Sequence, residues 1–209
     1  FKQAVQRQLI SDVPINSYLS GGIDSGAITM VASKLLPNMK TFTIGFDLSS
    51  ASGLVLNFDE REKAEHTSYL AQTEHYEMVL KAGDMEKCIE NYVWHLEEPR
   101  VGQSYPNYYA ANLASKFGKV VLSGCGGDEI FAGYPWRYFN TDKRINFDKF
   151  IDAYYLSWQR LFSNSDLKKL LSPIEKEIKG VWTKDIFANI FEPIKQKAFS
   201  PEECINASL

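Results

Sequence analysis

The stretch Tyr18-Leu19-Ser20-Gly21-Gly22-Ile23-Asp24-Ser25-Gly26, YLSGGIDSG (residues 18–26), places two adjacent glycines, two hydroxyls and a carboxylate where an apolar run gives way to a helical pattern. The run before it, PINSYL (14–19), reads as a short strand, since proline is tolerated at a strand start. After Asp24, the apolar positions Ala27, Met30, Val31 and Leu35 recur at helical spacing until Pro37 closes the pattern. TFTIGF (41–46), β-branched and aromatic, is a second strand. Strand, helix and strand fit within roughly thirty residues, the size of one βαβ unit.

The alternation continues on either side. Residues 2–10 carry a helical pattern, and a helix from about 59 to 72 leads to the strand HYEMVL (75–80). The next helix takes Asp84 as N-cap and collects Met85, Cys88, Ile89, Tyr92, Val93 and Leu96 on one face. EEPRVGQSY (97–105) is a loop, Pro106 opens another helix, and KVVLS (119–123) is a near-continuous apolar strand. Strands of that kind belong to parallel sheets covered on both faces. The fold expected is therefore α/β: an open, mostly parallel five-stranded sheet with helices on both faces. Beyond Tyr138 the strand signals stop. FDKFIDAYYLSWQRLF, DLKKLLSPIEKEI and VWTKDIFANIFEPIKQKAF read as helices, with breaks at Pro173 and Pro193. This divides the chain into a core, 1–140, and a helical extension, 141–209. DLSSASGLVLNF (47–58), long and rich in small residues, is expected to be a mobile loop.

Composition narrows the function classes. The 209 residues carry a net charge of −3, with 44% apolar and 23% charged residues, an ordinary globular balance. Nothing in that charge favours nucleic acid or an anionic membrane as a partner. No apolar run reaches transmembrane length. The three cysteines (Cys88, Cys125, Cys204) are few, odd in number and far apart, which argues against a disulfide framework or zinc site and fits a reducing cytoplasm. His66, His75 and His95 form no metal pair or nucleophile triad, and surface or strand-edge roles are expected for them. Trp158 and Trp182 are expected in the core. The first and last residues suggest part of a longer protein.

In open α/β sheets, ligands sit beyond the carboxyl ends of the strands. Both glycine-rich turns of this chain, 20–26 and 123–128, follow directly after strands. Gly21 and Gly22 let the chain turn without a Cβ in the way, and Ser20 and Ser25 can donate to phosphate oxygens. The first amides of the following helix add free N–H groups and the positive dipole end. Asp24 would repel a phosphate directly but would hold a magnesium ion between itself and the phosphates. An aspartate capping a helix after a tight glycine turn would leave the same local pattern. The second cluster, LSGCGGDEIFAGY (122–134), repeats the arrangement with Ser123, Gly124 and the adjacent acids Asp128 and Glu129. Two such loops could hold a metal triphosphate between them.

LSGGIDS, TFTIGF, FDE, EEP and VVLSGCGGDEIFAGYPWRY, in this order, closely resemble the synthetase domain of glutamine-dependent asparagine synthetases, members of the ATP pyrophosphatases with a pyrophosphate-binding loop. The specific motifs cover about residues 5–140, and the helical remainder matches more loosely. The resemblance implies an adenine-nucleotide α-hydrolase-like fold and a two-step reaction. ATP adenylates the β-carboxylate of aspartate with release of pyrophosphate, and ammonia then gives asparagine and AMP. By motif, Ser20, Gly21, Gly22, Asp24 and Ser25 hold the pyrophosphate, with Asp24 and Asp128 on Mg2+. Leu19 and Ile44 line the adenine and ribose pocket, and Ser123 and Gly124 contact the nucleotide near the α-phosphate. Ammonia would come from an upstream glutaminase domain, and the resemblance leaves room for a homodimer.

One departure stands out. Where asparagine synthetases often carry an acid after the second Ser-Gly, a position associated with forming the intermediate, this chain has Cys125; relatives that close β-lactam rings have tyrosine there. A neutral thiol does not replace a carboxylate's charge, so the acyl substrate stays open while ATP use does not. Another amide-forming synthetase, β-lactam or peptide cyclising, and a non-catalytic nucleotide-binding domain are the alternatives. The family's later lysine-bearing segment has no counterpart among these residues, and the 209-residue stretch by itself is expected to make no asparagine. Asp59, Glu60 and Glu62 read as acids that complement a helix dipole. Trp136, Arg137 and Tyr138 are expected to pack against the helical part.

Overall fold

The sequence after Pro14 extends into β1 (Ile15–Tyr18), turns through the glycines and enters α2 (Ile23–Ala32), then returns as β2 (Lys40–Phe46). A computed structural model describes residues 1–49, 59–98, 104–131, 133–134, 146–158, 162–178 and 182–196. Residues 50–58 of the mobile loop expected at 47–58, Pro99, residues 135–145 with the Trp136 cluster, and Cys204 lie outside the described residues. α1 (Lys2–Arg7) precedes β1, and after β2 come α3 (Arg61–Ala71), β3 (Glu74–Leu80), α4 (Asp84–Leu96), α5 (Tyr105–Ser115) and β4 (Val120–Leu122). The strands form one parallel sheet in the order β3-β2-β1-β4. Among the described residues the sheet has four strands, not the expected five. After Leu122 the described elements are all helices.

Strand alternation sends neighbouring side chains to opposite faces. Val121 packs with Phe42, Tyr18, Tyr76 and Met78 against Leu113 and Ala114 of α5. Leu122, next in the chain, turns to the other face, where Val5 of α1, Ala32 of α2 and Met39 form a second cluster. Helices thus cover both faces of the sheet. The face under α2 and α3 is unexpectedly polar. Thr29 donates to Ser17 Oγ at 3.0 Å, and Thr41 meets Thr73 and His75 Nδ1, each at 2.9 Å. The Ser17, Thr29 and Thr41 hydroxyls are buried but each has a hydrogen-bond partner, so their desolvation is offset.

Two local expectations change. Asp84 is the first residue of α4 rather than its cap; Gly83, at φ 87°, makes the left-handed entry that a side chain would resist. Asp84 instead accepts the Lys81 N–H at 2.7 Å and pairs with Lys87 at 2.8 Å. The apolar face of α4 is only partly covered: Cys88 is buried, but Met85, Ile89 and Val93 are exposed.

The chain divides into two compact units, Phe1–Gly126 and Gly127–Leu209. In the second, α6 (Gly127–Ile130) is a single turn. It is followed by α7 (Phe147–Trp158), α8 (Asn164–Leu170), a 3-10 turn (Ser172–Ile174), α9 (Glu175–Ile178) and α10 (Thr183–Lys195). Phe150 and Ile151 of α7 pack with Phe187 and Phe191 of α10. Pro193 lies inside α10 rather than ending it; so close to the C-terminal end it removes one N–H bond without stopping the last turn. Trp182 is half-buried beneath the Lys168 ammonium, 5.3 Å from the ring centre, rather than in a core.

Candidate functional site

The turn at 19–25 is built by short polar links. Leu19 is buried beneath it, its N–H on the Phe42 carbonyl at 2.9 Å and its carbonyl accepting the Thr43 hydroxyl. Ser20 and Ser25 bond to each other through their hydroxyls at 2.9 Å, and the Ser20 N–H donates to Ser25 Oγ at 3.0 Å. Ser20 Oγ in turn accepts the Gly22 N–H at 3.1 Å. These links close the loop on itself at the start of α2. The first helical hydrogen bond runs from the Gly26 N–H to the Gly22 carbonyl at 3.2 Å. The amides of Ile23, Asp24 and Ser25 therefore lie ahead of the ladder, where a helix offers donors and its positive end to an anion. Asp24 stands in this first turn, half-buried, with no hydrogen bond or ion pair to another side chain among the described residues.

The second glycine turn comes to the same place. A Cβ on Gly124 would lie 2.9 Å from the Ser25 backbone nitrogen and 3.1 Å from Asp24 Cβ. Ser123-Gly124 thus rests directly on the first turn of α2. Sheet order explains the meeting, because β4 pairs beside β1 and their carboxyl ends finish together. Ser123 Oγ accepts the Cys125 N–H at 3.2 Å, Cys125 is exposed, and Gly126 turns through φ 95°. Ile44 is half-buried toward the same end of β2, on the face that Phe42 also presents. Asp128 belongs to the second unit, at the start of α6; a Cβ on Gly133 would meet its carboxylate at 1.9 Å, so Gly133 is what lets the chain fold back over it.

Asp59, Glu60 and Glu62 are expected to complement a helix dipole, yet Glu60 joins the loop. Glu60 Oε2 accepts the Gly21 N–H at 3.2 Å, across 39 positions of sequence. Asp59 and Arg61 form a bidentate pair, Nη2 to Oδ2 at 2.7 Å and Nε to Oδ1 at 2.9 Å. Arg61 Nη2 also donates to the Phe46 carbonyl at 3.1 Å. The guanidinium holds the Asp59 carboxyl below the usual aspartate range. Gly45 makes room for it: a Cβ there would lie 2.2 Å from Arg61 Cδ. The FDE triplet was the only signal in the sequence, and nothing local in it names Gly21 as a partner. Of the histidines, His66 and His95 are exposed on helices, while His75 sits on edge strand β3 beside Glu77 at 3.3 Å.

A magnesium ion is commonly held by one or two carboxylates together with substrate phosphates. No cluster of three His, Cys, Asp or Glu side chains occurs among the described residues. A carboxylate with no side-chain partner among the described residues, next to the free amides of a helix start, as at Asp24, nevertheless suits that mode.

Comparison with known proteins agrees with this geometry. The family described as Asparagine synthase matches residues 1–197. The chain is 36% identical over 132 residues to asparagine synthetase (glutamine-hydrolyzing) 1 of Bacillus subtilis, covering 63% of this chain and 20% of that protein. With asparagine synthetase (glutamine-hydrolyzing) 1 of Arabidopsis thaliana it shares 30% over 158 residues, 69% of this chain and 26% of the relative. The asparagine synthetase (glutamine-hydrolyzing) of Triphysaria versicolor is 29% identical over 227 residues, 97% of this chain and 38% of its own length. The chain thus spans between a fifth and two fifths of these relatives. A strand-end glycine turn leading into a helix, a second glycine turn packed on it and a match along nearly the whole chain place this protein in the asparagine synthase family.

Proposed function

We propose that this chain is the ATP-using part of a glutamine-hydrolysing asparagine synthetase. It would adenylate the side-chain carboxylate of aspartate, and ammonia from a glutaminase domain elsewhere in the protein would then release asparagine and AMP. The observation that carries this reading is the seating of Gly124 on Asp24 and Ser25, which brings two phosphate-suited turns to one helix start. Residues 141–209 are read as a helical extension of the same synthetase domain, a reading supported by a family match that continues to residue 197.

In this mechanism the hydroxyls of Ser20 and Ser25 and the amides from Ile23 to Ser25 hold the β- and γ-phosphates. Ser123 and Gly124 border the α-phosphate, with Leu19 and Ile44 beneath the adenosine. Negative charge gathers around the α-phosphorus as the carboxylate attacks. Preorganised donors at that point would stabilise it, which is where most of the rate acceleration would arise. Asp24 would hold Mg2+, which when bound offsets phosphate charge; for Asp128 that role rests on the motif alone. Cys125 gives this site no acid where many relatives of the resembled group have one. That favours testing other carboxylate substrates beside aspartate. Two free cysteines among the described residues support a reducing compartment such as the cytoplasm.

The test is pyrophosphate release by the full-length protein with ATP and a panel of amino acids. Aspartate should give the highest rate. Asp24→Asn and Asp128→Asn remove a charge without changing shape and should each slow release about a hundredfold. Rates within about threefold of wild type for both would overturn the assignment.

A further inference from the structure

We propose that Glu60 is a positioning residue of the pyrophosphate loop, acting on it through the Gly21 peptide; this rests on the reading of that loop given above. Glu60 is held from both sides. Its carbonyl accepts the Ala64 N–H at 3.0 Å at the start of α3, and its neighbours Asp59 and Arg61 clamp that start to the Phe46 carbonyl at the end of β2. From this fixed base its carboxylate reaches the Gly21 N–H at 3.2 Å. Gly21 is packed against the same element: a Cβ there would lie 3.0 Å from Glu60 Cβ and 2.9 Å from Lys63 Cδ.

The consequence is a division of labour among the loop amides. Ser20 N–H is taken by Ser25 Oγ, Gly22 N–H by Ser20 Oγ and Gly21 N–H by Glu60. Anion binding is left to the amides of the first turn of α2. Two adjacent glycines have wide backbone freedom, so without an acceptor at Gly21 the peptide could swing and carry Ser20 with it. Ser20 closes the loop through Ser25, so its displacement would move the donors away from the phosphates. A carboxylate in this place is also a like charge beside the triphosphate, so its value lies in accepting a hydrogen bond, not in its charge. A glutamine should therefore serve as well, and an alanine should not.

Two measurements test this. In this chain, hydrogen exchange of the Gly21 amide, followed by NMR, should be about tenfold faster in Glu60→Ala and return close to wild type in Glu60→Gln. In the full-length protein, Glu60→Ala should lower kcat for pyrophosphate release about tenfold with little change in KM for ATP. Glu60→Gln should keep kcat and, with one negative charge removed, bind ATP no more weakly. Equal Gly21 exchange in all three proteins would overturn the proposal, as would a glutamine variant as slow as the alanine one. If the wild-type protein released no pyrophosphate with any amino acid, the functional reading would fall, while the exchange measurement would still decide whether Glu60 orders the loop.

Discussion

Two glycine-to-alanine changes only a few ångströms apart should move stability in opposite directions. At Gly124 the added Cβ would meet the Ser25 backbone nitrogen at 2.9 Å and the Asp24 carbonyl carbon at 3.4 Å. Neither atom can yield cheaply, because Ser25 is anchored by its hydroxyl to Ser20 and sits in the first turn of a helix. Overpacking of this kind costs about 1–3 kcal/mol. For a chain of this size each kcal/mol moves the melting temperature by about 2–4 °C, so Gly124→Ala should melt about 2–12 °C lower. Gly26 lies one residue after Ser25 inside α2, and its Cβ would find only Thr67 Cγ2 at 3.7 Å, an ordinary contact. There the change removes backbone freedom from the unfolded chain and should stabilise by about 1 kcal/mol, raising melting by about 2–4 °C. The assay is thermal unfolding of the two variants beside the wild type, followed by far-UV circular dichroism. Melting of Gly124→Ala within about 1 °C of wild type would refute the close seating of the two turns. So would a destabilised Gly26→Ala, since it would mean that the first turns of α2 are not the regular, open-sided helix described.

Other outcomes follow from the same geometry. Iodoacetamide should label exposed Cys125 about tenfold faster than Cys88, which is only 3% exposed, and magnesium ATP should slow the Cys125 reaction alone; mass mapping that finds Cys88 modified first would contradict the placement of both. The Asp59–Arg61 pair predicts an acid-limb effect. Because hydrogen bonding from Arg61 lowers the folded Asp59 pKa, its contribution is complete above the unfolded aspartate value near about 4 and fades as pH falls through the lower folded value. Urea midpoints should thus fall more steeply below about pH 4 in wild type than in Asp59→Asn, and parallel curves would show that the pair does not form in solution.

The alternation of elements was legible in the sequence because it rests on local periods. Side chains at every second residue in TFTIGF and at every third or fourth residue after Asp24 mark strand and helix wherever the segments end up. The placement of both glycine turns at strand ends was legible for the same reason, and with it the region of the candidate site. Partnership was not. Glu60 reaches Gly21 across 39 residues, and Gly124 meets Ser25 only because β4 lies beside β1 in the sheet. Neither residue carries a mark of its partner. The same limit hid the hydroxyl layer, since a threonine in a strand reads as half-exposed until Thr41, Thr73 and His75 are seen to satisfy one another. It also concealed how much of the apolar face of α4 stays open, because periodicity shows which side of a helix is apolar but not whether anything covers it. Local pattern thus determined the elements and the positions of the phosphate-suited turns. Strand order, a property of the whole chain, decided which side chains converge on them.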